Sequence, residues 1–359
     1  MAKSQENEIE FTAPLYVAWE LTHHCNAHCL HCYSSSGPEA SQENELSLDQ
    51  GMSLIDQLAD AGTLVLAFSG GEPLMHRNWQ ALVGHAVDRG LSVNIGSNGS
   101  CINEKNADTI KQLGVKSVTI SLDSHISSVH DEFRQLDGLF EKATSAVKNL
   151  VRYDIRVVVG FTPTRLNWRH GRDVIDLSYD LGADAVNLSE YVPAGRGALN
   201  LALEPEDLHQ VLQEWIEARK YYTNRMEIMW HDCRVGLLVA EEEQRKYVGC
   251  GAGRLVARIL PDGRITPCVF LPTEIGSIQT KRFADLWSKS LLLHQFRERS
   301  GYVTGNCGQC DHLKTCGGCR AVAYAYSGGD PLAGDPHCWI NRVSTIVESD
   351  LATGEGLPI

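Results

Sequence analysis

Long hydrophobic runs are missing from this chain. None of its 359 residues falls in an apolar stretch near the roughly 18 needed to cross a bilayer. The opening Met1-Ala-Lys-Ser-Gln-Glu-Asn-Glu-Ile-Glu10 also lacks the apolar core of a signal peptide. Basic charge is in deficit, with 32 Lys and Arg against 45 Asp and Glu, a net charge of −13 and a pI near 5.5. A general nucleic-acid binder or membrane-surface protein needs a basic face, so both classes are set aside. The expectation is a soluble, cytoplasmic protein.

Cysteine is abundant instead. Twelve cysteines in a reducing compartment read as metal ligands rather than disulfides. Three lie at 25 to 32 and eight at 233 and beyond, while Cys101 stands alone and reads as a small apolar residue.

The length exceeds one average domain, which suggests a large domain and a smaller one. From residue 15 onward, short apolar runs alternate with amphipathic helices: Leu15–Leu21, Leu64–Phe68, Ser92–Ile95, Ser117–Leu122, Ile155–Val159 and Ala185–Leu188. The stretch Leu48–Ala61 sets Met52, Ile55, Leu58 and Ala59 on one helical face and stops at Gly62. Such alternation predicts an α/β fold with a parallel sheet and right-handed crossovers. Six units rather than eight predict an open, partial (β/α)6 barrel with a lateral gap for a bulky substrate. The expected division is a polar arm over 1–13, the barrel over 14–205, a helical bridge over 206–245, a cysteine-rich domain over 246–340 and a tail over 341–359. Leu208, Val211, Leu212, Trp215 and Ile216 form the core stripe of the bridge.

The first strand runs straight into Cys25-Asn-Ala-His-Cys29-Leu-His-Cys32, a C-x₃-C-x₂-C run. Three clustered thiolates hold a metal or a cluster and leave one coordination position without a protein ligand, where chemistry can occur. The alternative is a structural zinc completed by His23, His24, His28 or His31.

In parallel α/β sheets ligands gather at the C-terminal strand ends. There the second strand leads into Ser69-Gly70-Gly71-Glu72-Pro73, two residues without side chains and then a carboxylate suited to an ammonium. The third leads into Ser97-Asn98-Gly99, where Asn tolerates a left-handed turn. The fourth leads into Ser121-Leu122-Asp123, a hydroxyl and a carboxylate that suit a ribose diol, followed by His130-Asp131-Glu132-Phe133-Arg134. Each of these also reads as a plain turn or cap. The sixth leads into Asn187-Leu-Ser-Glu190-Tyr191-Val-Pro-Ala-Gly-Arg196-Gly197, a candidate substrate rim.

Beyond residue 230 there is little apolar sequence apart from one hairpin, Leu255–Leu260 and Arg264–Thr266 joined by Pro261-Asp262-Gly263, so a metal staple is needed. The cysteines run Cys250-x₁₂-Gly263-x₄-Cys268, Cys307-x₂-Cys310-x₅-Cys316-x₂-Cys319, then Cys338. Paired C-x₂-C elements can make a zinc ribbon. One zinc would leave four of these cysteines idle, whereas with Cys233 there are eight thiolates, enough for two four-iron cubes.

The C-x₃-C-x₂-C loop followed by Ser69–Pro73 resembles the radical S-adenosylmethionine (SAM) superfamily, and the order from Cys250 to Cys338 resembles its SPASM subgroup. The likeness covers roughly residues 14 to 340 and implies a partial barrel followed by a small iron–sulfur domain. It implies a [4Fe-4S] cluster on Cys25, Cys29 and Cys32 whose open iron chelates SAM, and a 5′-deoxyadenosyl radical that takes hydrogen from substrate. By the same likeness Gly70, Gly71 and Glu72 meet the SAM amino group, Asn98 faces the cofactor, Ser121 and Asp123 meet the ribose, and Arg134 pairs with a carboxylate. Auxiliary cluster I takes Cys250, Cys268, Cys319 and Cys233, and auxiliary cluster II takes Cys307, Cys310, Cys316 and Cys338. No catalytic acid or base is assigned.

Two enzymatic readings follow from the resemblance. The first is oxidative modification of a ribosomally made precursor peptide, with a flavodoxin or ferredoxin as electron donor. The first strand begins near residue 15, so a separate leader-recognition protein or direct leader binding at a sheet edge is expected. The second is side-chain removal from a porphyrin-like tetrapyrrole, as in alternative haem or haem d₁ synthesis. It draws on the two-residue gap before Cys319, where many SPASM members have three, on Gly317-Gly318-Cys319-Arg320 and on the Val192–Gly197 turn. A third reading, a non-catalytic multi-metal scaffold or electron carrier, leaves the Gly70–Glu72 and Ser121–Asp123 sets without use.

Overall fold

The computed structural model describes residues 12–239, 243, 247 and 249–340. The expected tail over 341–359, nearly all of the expected arm over 1–13, and part of the bridge lie outside the described residues.

Six parallel strands follow the apolar runs: β1 Tyr16–Thr22, β2 Val65–Gly70, β3 Ser92–Ser97, β4 Ser117–Ser121, β5 Arg156–Phe161 and β6 Ala185–Ser189. Helices join them. The helix Leu48–Ala61 shows why its ends were legible: Ser47 Oγ accepts from Gln50 N at 3.3 Å and Gln50 Oε1 accepts from Ser47 N at 2.9 Å, a reciprocal N-cap. Gly62, at φ +96°, closes it in a left-handed turn.

Side-chain alternation divides each strand. Val17, Trp19, Leu21, Leu66, Phe68, Val93, Ile95, Val118, Ile120, Val157, Val159, Val186 and Leu188 are buried in one core with the helices. Residues on the opposite face, such as Glu20, Ser69, Asn94, Thr119, Ser121, Asn187 and Ser189, are small or polar and line the inside of the barrel.

Two features of the sheet were not legible beforehand. A seventh parallel strand, β7 Glu227–His231, pairs with β6 inside the stretch expected to be a helical bridge. Of its five residues only Ile228 is fully buried, so it carries no periodic signal. The hairpin of the cysteine-rich region, β8 Val256–Ile259 and β9 Arg264–Thr266, does not stand apart. β8 pairs in parallel with β1, from Tyr16 opposite Val256 to Trp19 opposite Ile259. With β10 Gly276–Ser277 the result is one ten-stranded sheet, β10-β9-β8-β1-β2-β3-β4-β5-β6-β7. Phe283, Trp287 and Leu293 of the cysteine-rich region belong to the main core, while a second, small cluster joins Val192 of the barrel to Ala252, Leu271, Phe296, Ala321 and Val322, with Cys250, Cys268 and Cys319 packed against it. No helix among the described residues is long and apolar enough to cross a membrane.

Candidate active site

The C-x₃-C-x₂-C loop leaves β1 at the C-terminal end of the sheet and is closed by Cys25 N donating to Gly37 O at 3.1 Å. Two distant segments hold its backbone. The end of the helix Ser127–Arg134 accepts from it, His28 N to Arg134 O at 3.3 Å and Leu30 N to Phe133 O at 3.1 Å. Arg196 donates through Nε to Cys29 O at 2.8 Å and through Nη2 to Ser36 O at 2.9 Å. Beside it Gly195 has φ +57°, and a Cβ there would sit 2.3 Å from Tyr33 O, so this close approach requires glycine. The sequence placed Arg196 on a substrate rim; its grip on the cysteine loop depends on a partner 167 residues away.

Each loop thiol has a polar neighbour. Cys25 Sγ lies 3.4 Å from Ala27 N and 3.7 Å from Asn98 Nδ2, Cys29 Sγ lies 3.8 Å from Arg134 Nη1, and Cys32 Sγ lies 3.4 Å from Ser34 Oγ. Burial pushes the Cys25 thiol up to about 12 and raises that of Cys29 as well. Three thiolates therefore need a bound cation to persist here, and a coordinating metal deprotonates thiols outright. Donors aimed at the sulfurs suit that charge and are a means of tuning a cluster. Among the described residues no three His, Cys, Asp or Glu side chains are drawn tightly enough to hold a single metal ion. A four-iron cube, with its ligands at separate corners, asks for no such convergence. Two of the four histidines offered for a zinc are otherwise engaged: His23 bonds Glu20 at 2.9 Å, and His31 stacks on Phe133 at 4.4 Å.

The Gly-Gly-Glu turn presses against this loop. Gly71 N donates to Thr22 O at 2.7 Å and Glu72 N to His24 O at 3.0 Å. A Cβ on Gly70 would lie 2.4 Å from Thr22 O, and one on Gly71 would lie 2.1 Å from His24 O. The missing side chains thus admit the backbone of the cysteine loop. Glu72 is wholly buried, and its carboxylate accepts from Ser97 Oγ at 2.9 and 3.0 Å, from Asn98 N at 2.9 Å and from Leu74 N at 3.4 Å. Burial pushes its pKa up to about 7 against the pull of those donors. Glu72, Asn98 and Cys25 are therefore one connected set.

Ser121 and Asp123 are not. β4 ends at Ser121, and the wholly buried Asp123 turns to Arg134, whose Nε donates to Oδ2 at 2.6 Å. Burial works against the Asp123 charge, but Arg134, His31 and His130 hold its carboxyl below the usual range. Arg134 thus links Asp123 to Cys29.

In the C-terminal region Cys307, Cys310, Cys316 and Cys338 line one small cavity with Arg234 and Asp335. Cys250, Cys268 and Cys319 gather around the second apolar core. Cys233 stands between the sets, its thiol hydrogen-bonded to that of Cys316 and close to Cys319. Backbone amides serve these sulfurs: Asp335 N to Cys307 at 3.3 Å, His312 N to Cys310 at 3.4 Å and Gly318 N to Cys316 at 3.4 Å. A buried cluster that sequence reasoning missed ties this layer to the barrel. Arg234 contacts Glu190 at the end of β6, Asp232 at 2.9 Å and Asp335 at 3.6 Å, while Asp335 Oδ2 accepts from Cys319 N at 2.8 Å. Burial, with Asp232 and Asp335 nearby, raises Glu190 well above its ordinary range despite Arg234. Nothing in the spacing of these four residues marks them as partners.

An open parallel barrel with a three-thiol loop at its mouth, and a cysteine-held layer built onto the first strand, defines an iron–sulfur enzyme with one cluster open to a ligand. Residues 19–177 match the Radical SAM superfamily, and residues 250–311 match SPASM, an iron-sulfur cluster-binding domain. The chain belongs to the radical SAM superfamily, in its SPASM-bearing subgroup. It is 32% identical to the AdoMet-dependent heme synthase of Nitratidesulfovibrio vulgaris over 90% of this chain and 91% of that one. It is also 32% identical to the mycofactocin maturase MftC of Mycobacterium ulcerans over 91% of this chain and 88% of the other. The crystal structure of Streptococcus suis SuiB bound to S-adenosylmethionine shares the fold, with a TM-score of 0.75 and 18% identity over 91% of this chain and 78% of SuiB. The chain is thus an enzyme that uses SAM and [4Fe-4S] clusters, one SAM-binding and two auxiliary, and the scaffold or carrier reading falls away.

Proposed function

We propose that the enzyme removes carboxyl groups from side chains of a porphyrin-like tetrapyrrole. The observation that carries this reading is a cleft of about 450 Å³ beside the cysteine loop, walled by Tyr33, Phe270 and Tyr324 and containing one buried cation, Arg258. Aromatic walls suit a flat macrocycle, and a guanidinium suits its carboxylates. The likeness to the heme synthase of N. vulgaris supports it. A second reading, oxidative modification of a ribosomally made peptide with a separate leader-recognition protein, draws on the likeness to MftC. At the β10 edge, only two residues long, the sheet offers little room for strand addition, which leaves β7 as the edge a peptide would use.

In this reading Cys25, Cys29 and Cys32 hold the SAM-binding cluster. Cys250, Cys268, Cys319 and Cys233 hold one auxiliary cluster, and Cys307, Cys310, Cys316 and Cys338 the other. When bound, SAM and its cluster supply a 5′-deoxyadenosyl radical that takes a hydrogen atom from the substrate. Asn98, Arg134 and Ser34 direct donors at the loop sulfurs and so hold negative charge there. Glu72 fixes the Asn98 turn against Cys25, and by resemblance Gly70, Gly71 and Ser121 border SAM. Loss of CO2 after hydrogen removal would leave a vinyl group and one electron, for which the oxidised auxiliary iron–sulfur clusters would be the acceptor. A flavodoxin or ferredoxin as donor and a cytoplasmic setting fit the oxygen-sensitive clusters and free thiols.

The test is to incubate anaerobic holoenzyme with reductant, SAM and iron coproporphyrin III and to follow products by mass spectrometry. The expected result is vinyl in place of propionate, with one 5′-deoxyadenosine per group removed. Formation of 5′-deoxyadenosine with the porphyrin unchanged, alongside modification of a precursor peptide, overturns the reading in favour of the second.

A further inference from the structure

Arg258 reaches the barrel interior from β8 and is buried, yet its Nε has no hydrogen-bond partner. Its other contacts hold the guanidinium in place. Nη2 donates to Glu20 Oε2 at 2.7 Å, Nη1 donates to Val269 O at 3.1 Å, and the group lies 5.5 Å from the centre of the Tyr33 ring. Tyr33 in turn meets Phe270 edge-on at 5.4 Å, so cation and aromatics form one wall of the 450 Å³ cleft. Glu20 is also wholly buried, and its Oε1 too lacks a partner. Buried ion pairs are stable when their remaining hydrogen-bonding atoms are satisfied, and in this pair one donor and one acceptor are buried without a partner, so the guanidinium's hydrogen-bonding needs are incompletely met within the protein.

We propose that Arg258 is the anchor for a carboxylate of the substrate, which accepts from the guanidinium where it forms the cleft wall while the macrocycle lies against Tyr33 and Phe270. This rests on the tetrapyrrole reading and adds to it the residue that sets orientation. Arginine's planar fork binds carboxylates in a defined direction, where a lysine would act as a point charge. The cleft also includes Gly195 and Gly197, on either side of the Arg196 that grips Cys29 O. A carboxylate fixed at Arg258 therefore positions the ring next to the cysteine loop, and such positioning is a large part of catalysis.

The test compares binding of iron coproporphyrin III and its tetramethyl ester to anaerobic holoenzyme by absorbance titration. Wild-type enzyme should bind the acid about ten- to hundred-fold more tightly than the ester, the range of a charge-assisted hydrogen bond. Arg258→Gln should lower acid affinity by that factor and leave the ester unchanged. Because this variant strands the Glu20 charge, the double variant Glu20→Gln/Arg258→Gln is measured beside it, with iron content as the check on folding. Equal wild-type affinity for acid and ester overturns the anchor, as does an unchanged acid affinity in the variants; the tetrapyrrole reading survives either result. Failure of the wild type to bind either porphyrin overturns that reading and the anchor with it.

Discussion

The two cysteine regions of this enzyme are supported in different ways. In the N-terminal loop two of the three thiols meet side chains from far along the chain, Asn98 at 73 residues from Cys25 and Arg134 at 105 from Cys29. In the C-terminal region Cys310 and Cys316 meet backbone amides two residues further on, His312 N and Gly318 N. The first loop packs in a small apolar cluster with Ala27 and Leu136, and its surroundings are set by tertiary contacts. The second region shares the main core through Phe283, Trp287 and Leu293, but its cysteine-bearing turns have only a small apolar cluster beside them, so they depend more on what their cysteines bind. A site that must leave one coordination position open needs a rigid frame built by the rest of the fold, whereas a closed site can be its own frame.

The contrast is broken most severely by removing the open site. Changing Cys25, Cys29 and Cys32 together to Ala should abolish 5′-deoxyadenosine formation while iron and sulfide analysis still finds two of three clusters. Surviving SAM cleavage would place the catalytic cluster elsewhere. Removing one auxiliary ligand, Cys268→Ala or Cys310→Ala, should sharply reduce product from the true substrate but spare uncoupled SAM cleavage. Circular dichroism and iron content confirm that each variant folds. Native-rate turnover by a soluble variant lacking one auxiliary cluster would reduce that cluster to a structural staple.

Glu72 probes the frame itself. Glu72→Ala should weaken SAM binding about ten- to hundred-fold, the effect of losing about 1.5–3 kcal/mol of charge-assisted bonding, with iron content intact. An unchanged dissociation constant confines the residue to its bonds with Ser97 and Asn98. Glu72→Gln tests its ionisation. With the carboxyl pKa raised from 4.5 to about 7, the native state holds its proton more tightly than the unfolded chain. Its contribution to stability is fully present below pH 4.5 and declines as pH rises to about 7. Denaturant midpoints of the holoenzyme without SAM should therefore show wild type losing ground to the variant over that interval and a constant difference above it. The smallest effect is expected at Cys101. Its thiol, half-buried and 3.8 Å from Ser100 Oγ, belongs to neither region, so Cys101→Ser should alter neither cluster count nor turnover.

What the sequence determined by itself is local or periodic. Alternating apolar residues specified six parallel strands, Ser47 and Gly62 marked the ends of one helix, and cysteine spacing marked both metal-binding regions, because each depends on neighbours within a few positions. The tertiary structure decided the rest. It paired β8 with β1, added the weakly patterned β7, joined Asp123 to Arg134, and gathered Glu190, Asp232, Arg234 and Asp335 between the cysteine sets. It also brought Arg258 across 238 residues to Glu20, the contact on which the cleft's one buried cation depends. Single polar pairings of that kind repeat with no period, and their partners are chosen only when the sheet closes and removes water from around them.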